Sequence, residues 1–234
     1  MKMKILLPSI ATIALCLCLI AGSTFALFTD SSKANIVVSA GQVKMVAKAQ
    51  VTKVESVLPD ANGLIKDENN ATYSYSHVVS AAPFLFKNGG TATFDEDTSL
   101  LVFDNITPGD RVTFQISGQN SSDVTIMYRY RIEYYVDQEI AESYTGKTFD
   151  DMLMKKLNFT IPGETVKTNM KSYTSKWTEL KPGNNMAPVS ISVELPVNTG
   201  NAYKDKNTMI LVIVEAVQGN ANIGVNQSET VYFD

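Results

Sequence analysis

The chain has 234 residues, with 20 Lys and Arg against 24 Asp and Glu for a net charge of −4, one histidine and two cysteines. A net acidic chain without clustered bases lacks the electrostatic footprint of a nucleic-acid binder, and its length supports one sizeable core more readily than two. Charged residues are scarce, and Tyr, Val, Thr and Asn are common, a composition that favours pleated strands over helices.

Lys2 and Lys4 open the chain, an apolar run follows from Ile5 to Ala21, and Thr24-Phe25-Ala26 supplies the small residues at alternate positions that a signal peptidase accepts. Residues 1–26 therefore read as a signal peptide, cleaved between Ala26 and Leu27. The run is short for a membrane span and contains Pro8. Cys16 and Cys18 both lie inside it, so the mature chain has no disulfide to rely on and must be held by a core. Leu15 and Leu17 stand where a lipid-modified cysteine needs a small residue, which argues against a lipoprotein. The leader takes two lysines and no acid with it, leaving 18 bases against 24 acids, near −6, on about 208 residues.

The mature chain opens on Leu27 and Phe28, passes a polar TDSSK turn and reaches Ile36, Val37 and Val38. The stretch 27–41 reads as a separable N-terminal arm, and 42–234 as one domain. After Gly41, Val43, Met45, Ala47, Ala49, Val51 and Lys53 keep the period-two spacing of a strand with one buried face. Pro59 to Asn70 is a turn-rich loop. Tyr73, Tyr75, His77 and Val79 alternate with small polar residues, and APFLFK and TATF read as further short strands. Thr107-Pro108-Gly109-Asp110 is a tight turn between the strands SLLVFDNI and RVTFQIS.

The longest unbroken alternation places Val124, Ile126, Tyr128, Tyr130, Ile132, Tyr134 and Val136 on one face and Arg129, Arg131 and Glu133 on the other, which predicts a strand central to a sheet. One short helix is predicted with Thr148 as N-cap, Asp151 as its capping-box partner and Met152, Leu153 and Leu157 on the apolar side. Lys181-Pro182-Gly183 is another turn. Val189, Ile191, Val193 and Leu195 form a half-buried strand, ILVIVEAV from Ile210 a fully buried one, and VYFD an edge strand.

The string GSTFALFTD, followed about ten residues later by SAGQVKM, resembles the start of the TasA/camelysin family of secreted bacterial proteins, several of them biofilm fibre subunits processed by a dedicated signal peptidase. The likeness resumes at ITPGDRVTFQISGQNSSDVTIMYRY, ISVELPV and VIVEAVQGN, and covers about half the chain in pieces. The block between the first strand and the PGD turn is longer than the family pattern. The resemblance implies a jelly-roll fold; alternation on its own implies an all-β, two-sheet antiparallel sandwich with one short helix and long loops.

Some members of that family are classed as metallopeptidases, yet a catalytic zinc needs several His, Cys or carboxylate ligands. This chain has His77 alone, no mature cysteine and no H-E-x-x-H. His77 reads as a structural or surface residue. The acidic run Asp95-Glu96-Asp97 matches no calcium-loop spacing. A serine nucleophile would lack any base but His77. Leu195-Pro196-Val197-Asn198-Thr199-Gly200 departs from a sortase signal by one residue and precedes no apolar anchor. The tyrosines could stack on sugars, but their strand spacing reads as core packing. No catalytic residue, metal or cofactor is expected.

The expected function is a secreted structural subunit of an extracellular fibre or biofilm matrix. Its partner is a second copy of itself, joined head to tail. Other matrix proteins or polysaccharide are further candidate partners, signal peptidase acts during export, and no nucleic acid is expected. Assembly would add Leu27, Phe28, Ile36, Val37 and Val38 of one arm as a strand to the next subunit. A camelysin-like surface protease and a monomeric adhesin or carbohydrate-binding matrix protein are the alternatives.

Overall fold

Residues that alternate in polarity bury one face of a strand and solvate the other, and two such faces must meet to make a core. The computed structural model describes residues 30–33, 37–40, 43–57, 75–135, 151–204, 206–224 and 226–234. In chain order the strands are β1 (Asp30–Lys33), β2 (Val37–Ala40), β3 (Val43–Val57), β4 (Tyr75–Val79), β5 (Thr91–Asp95), β6 (Leu100–Ile106), β7 (Asp110–Asn120) and β8 (Ile126–Tyr134). After helix α1 (Asp151–Met154) follow β9 (Asn158–Thr160), β10 (Lys167–Thr168), β11 (Met170–Thr174), β12 (Thr178–Leu180), β13 (Val189–Glu194), β14 (Lys206–Gln218) and β15 (Glu229–Tyr232).

Two antiparallel sheets stack face to face. The first runs β15-β11-β8-β14-β6-β5, with β1 also on β14 and β12 on β8; the second runs β10-β9-β13-β7-β3-β2, with β4 also on β3. The long strands β6, β7, β8, β13 and β14 alternate between the two sheets, a winding of the jelly-roll kind, so the fold is the all-β sandwich that the alternation predicts.

The inner faces supply the core: Met45, Ala49, Val51 and Val54 from β3, Val112, Phe114 and Ile116 from β7, and Ile191 and Val193 from β13 meet Leu101 and Phe103 of β6, Tyr128, Tyr130 and Ile132 of β8, and Ile210, Val212 and Val214 of β14. Tyr128, Tyr130 and Tyr173 are buried among these residues, so they pack the core and present no platform. The predicted central strand is β8, flanked by β11 and β14. ILVIVEAV belongs to the 13-residue β14, buried at nearly every position. That burial has two causes. Its inner side chains join the core, while Met209, Leu211 and Ile213 join Leu100, Val102 and Tyr135 in a second apolar cluster on the outer face.

Three expectations change. APFLFK forms no strand: Pro83 has no N–H to offer a ladder, and only Leu85 makes an isolated bridge, to Thr91, after the turn that returns Phe86 N–H to Gly90 C=O. The described helix is one turn, Asp151–Met154. Its buried side is Leu153 and Met154, with Leu157 beyond its end, while Met152 points to solvent at 48 % exposure, because so short a helix can turn only two adjacent positions to the core. Val124 precedes β8 in a bend instead of joining it. The leader, the Pro59–Asn70 loop, Tyr73, Val136 and Thr148 lie outside the described residues.

Candidate functional site

Two turns fix the ends of β7. Gly109 adopts φ 93°, the left-handed region that glycine reaches without a Cβ penalty, and Asp110 N–H closes the turn on Thr107 C=O at 2.9 Å. The Asp110 carboxylate is buried, and it accepts from Thr107 N–H at 2.7 Å, Thr107 Oγ1 at 2.7 Å and Ser56 Oγ at 2.5 Å. Burial pushes its pKa up, against the pull of these hydrogen bonds. The PGD turn thus ties β7 to the end of β3, a structural task. At the other end, Gly183 (φ 74°) closes the Lys181 turn, whose Asn184 N–H donates to Lys181 C=O.

His77 lies in β4, half-buried, with Nε2 3.0 Å from the Leu85 carbonyl oxygen, so it pins the 81–90 loop to the sheet. Among the described residues no three His, Cys, Asp or Glu side chains gather into a metal-holding group. Asp95 uses its carboxylate on the turn that follows it, accepting from Asp97 N–H at 3.0 Å and Thr98 N–H at 3.3 Å. Val197–Thr199 of the sortase-like stretch form a 3-10 turn, with the Val197 side chain beside Gly109.

The arm carries the remaining candidates. Leu27, Phe28 and Ile36 lie outside the described residues, whereas Val37 and Val38 belong to β2. β2 runs along β3 with Val37 opposite Val46 and Ala40 opposite Val43, joined by the two residues Gly41 and Gln42. β1 lies on the other sheet, with Asp30 opposite Ala216 and Lys33 opposite Ile213. It lengthens a row that β6 begins: β6 pairs with β14 from Lys206 to Leu211, and β1 takes over from Ile213 to Ala216. The arm therefore touches both sheets as an added strand, 30–33 on one and 37–40 on the other.

The edge of β3 that receives β2 is only partly used. β7 pairs with one side of β3 from Met45 to Ser56, while the other side holds β2 from Val43 to Val46 and β4 from Val54 to Val57. Among the described residues nothing pairs with that side between Ala47 and Lys53. Strand alternation says which backbone groups face it. Lys44 C=O accepts from Ser121 N–H beside β7, so the same parity turns Lys48 and Gln50 toward β7 and turns Ala47, Ala49 and Val51 outward.

Both ends of this bare row are held. At the far end Arg111 Nε donates to Glu55 Oε2 at 2.8 Å and its guanidinium lies 3.8 Å from the Tyr75 ring centroid, which clamps β4 against β3 and β7. Lys53 adds an ion pair to Glu55 at 3.2 Å. Burial is the first cause that pushes the Tyr75 hydroxyl pKa upward, and the neighbouring Glu194 is the second. Opposite the row stands β5, the outermost strand of the other sheet. Between them a cleft of about 360 Å³ is lined by Ala49, Val51, Phe84, Ala92 and Phe94, among others. Sequence reasoning found the strands on either side of this cleft but not the cleft, because its two walls are about 40 residues apart in the chain.

Comparison of the chain with protein-family models, with curated proteins and with solved structures finds no match.

Proposed function

We propose that this chain is a secreted structural subunit of an extracellular fibre or biofilm matrix, assembled when the N-terminal arm of one copy adds as a strand to the next. The observation that carries the reading is the arm itself. Residues 30–33 and 37–40 are laid against two different sheets as short added strands, which makes the arm an accessory to the sandwich and a candidate for exchange. The N-terminal leader pattern, the TasA/camelysin resemblance and the cysteine-free mature chain agree with export to the cell surface.

The physics is β-augmentation. Main-chain hydrogen bonds supply affinity, and alternate apolar side chains set the register. Head-to-tail contacts of this kind need not close on themselves and so build filaments. A leader still attached at Ala26 would tether the arm and prevent assembly before export.

Electron microscopy and sedimentation of proteins beginning at Leu27 and at Gly41 test this. Fibres from the first and monomers from the second are expected. A Leu27 protein that stays monomeric when seeded or acidified would overturn self-assembly and favour a monomeric adhesin or accessory matrix protein.

A further inference from the structure

The inner side chains of both sheets are spent on the core, so any surface for a partner is built from the outer ones. On the first sheet the outer face is occupied. Met209, Leu211 and Ile213 belong to the second apolar cluster, and Glu215 is held by Arg129 and Arg131. The second sheet differs. On β3 the outward residues Lys44, Val46, Lys48 and Gln50 are exposed, while Val43, Met45, Ala47 and Ala49 between them are buried.

Residues opposite one another on paired strands share a face. Lys48 stands opposite Ser117 and Gln50 opposite Gln115; Gln115 is in turn opposite Ser190, and Thr113 is opposite Ser192, which meets Thr160. The result is a layer of amides and hydroxyls across β3, β7, β13 and β9. Hydrogen bonds between strands hold it in place: Thr113 Oγ1 and Ser192 Oγ are 2.9 Å apart, Gln115 Nε2 donates to Ser190 Oγ at 3.4 Å, and Thr52 Oγ1 donates to Thr113 C=O at 3.1 Å. At one corner the layer dips into a groove of about 540 Å³ lined by Val46, Lys48, Ser117, Gln119, Asn185 and Pro188, among others. Met186 N–H donates to Gly118 C=O at 2.8 Å and so fixes the 185–188 segment beside it.

Charge is uneven on this face. At the far end Lys53 and Arg111 are neutralised by Glu55. At the groove end Lys44 and Lys48 form no ion pair among the described residues, on a chain whose net charge is −4. They stand roughly 13 Å apart along the strand.

We propose that the outer face of β3, β7 and β13, entered at the groove beside Lys48, binds an acidic polysaccharide, a chain of sugars that bear carboxylates. Carboxylates complement Lys44 and Lys48. Sugar hydroxyls both donate and accept, as do the Gln amides and the Ser and Thr hydroxyls of the layer. Neighbouring strands lie about 4.8 Å apart, so Gln50, Gln115 and Ser190 span roughly 10 Å across the sheet, the reach of a disaccharide. A protein partner fits less well, because interface cores are poor in Lys and Ser and rich in aromatic residues. Nucleic acids are held by many cations or by stacking rings, and these residues include two lysines and no ring. The inference goes beyond the fibre reading and stands on this face alone: the fibre test reads assembly and this one reads binding, so either can fail without the other.

The test is calorimetric titration of protein beginning at Leu27 with polygalacturonate, and with the same polymer after methyl esterification of its carboxylates. Two exposed ion pairs together are worth up to roughly tenfold, so the ester, and the variant carrying Lys44→Gln and Lys48→Gln, are each expected to bind about fivefold to tenfold more weakly. Salt at about 0.5 M should weaken the wild type in the same way. Lys171 and Lys176 are exposed and lie off this face, so Lys171→Gln with Lys176→Gln makes the same change of charge and should leave affinity unchanged. In wild-type protein, assembled or not, bound polygalacturonate is expected to shield Lys44 and Lys48 from acetylation and to leave Lys171 and Lys176 reactive. Binding that ignores esterification, equal loss in the two double variants, or Lys44 and Lys48 acetylated as fast with the polymer as without it overturns the proposal. So does a failure of both polygalacturonate and alginate to bind. A preference for duplex DNA over polygalacturonate overturns it as well and reassigns the face to nucleic acid. Should a variant not fold, the acetylation pattern of the wild type decides.

Discussion

Asp110→Ala removes a buried carboxylate that ties β7 to the end of β3. The wild-type side chain is 1 % exposed and accepts three hydrogen bonds, two from Thr107 and one from Ser56. Each hydrogen bond to a charged group is worth about 1.5–3 kcal/mol, but part of that sum is cancelled when the desolvated charge disappears, so a net loss of about 3 kcal/mol is expected. For a domain of this size that lowers the midpoint of melting by about 6–12 °C. Asp110→Asn is the control. Its amide oxygen can accept from Thr107 N–H and its Nδ2 can donate to Ser56 Oγ, so it should cost about 1 kcal/mol.

The pH dependence follows from the direction of the shift. Burial raises the folded pKa of Asp110 above its unfolded value of about 3.9, so the native state holds the proton more tightly. Its contribution to stability therefore grows as pH falls through the folded pKa and is complete below the unfolded one. The asparagine has no such term, so the stability difference between wild type and Asp110→Asn moves in favour of wild type on acidification from neutral pH. Urea denaturation followed at several pH values reads both effects, with the slope on denaturant held constant as the check on two-state behaviour. An alanine variant within about 0.5 kcal/mol of wild type, or a wild-type to asparagine difference that stays flat with pH, would refute the reasoning.

Glu215 accepts from Arg129 Nε at 2.5 Å and pairs with Arg131 at 3.3 Å on the outer face of β14 and β8, and it is itself buried. Glu215→Ala should cost about 2 kcal/mol by thermal melting, more than a solvent-exposed pair, and a loss under about 0.5 kcal/mol would show that water already screens the network. Trp177 reports the same site, since Arg129 lies 4.5 Å from its ring centroid; its fluorescence should change in Glu215→Ala before global unfolding. Adjacent glycines give an ordered pair of outcomes. A Cβ at Gly90 would land on the carbonyl oxygens of Asp104 and Asn105, whereas Gly89 faces open space at φ 86°. Gly90→Ala should cost more than about 2 kcal/mol and Gly89→Ala about 1 kcal/mol in denaturant midpoints, and the reverse order would disprove the close backbone approach.

The faces of β3, β8 and β13 were legible in the sequence because alternation is local: residue i and residue i+2 share a face whatever the strand later pairs with. The PGD and KPG turns were legible for the same reason, since Pro and Gly act on their own φ. Where the local signal was ambiguous the reading failed. APFLFK has strand composition but lacks the N–H at Pro83, and the alternation of Val124 with Ile126 does not reveal that a bend separates them. Met152 was assigned to the buried side from an ideal helix longer than the one described.

Pairing is a different kind of fact. Ser56 meets Asp110 across 54 residues and Arg129 meets Glu215 across 86, separations at which no spacing rule in the chain identifies the partner. The apolar outer face of Met209, Leu211 and Ile213 looks like core sequence and is not part of the main core, because Leu100 and Val102 meet it on the far side of the sheet. The sequence by itself therefore determined most of the strands, the buried faces of β3, β8 and β13, and the all-β sandwich. Only the tertiary structure decided that β1 and β2 sit on different sheets and that, among the described residues, no second strand bonds β3 between Ala47 and Lys53. A strand carries the same side chains whether or not a neighbour bonds its edge, so an unpaired edge has no signature in sequence.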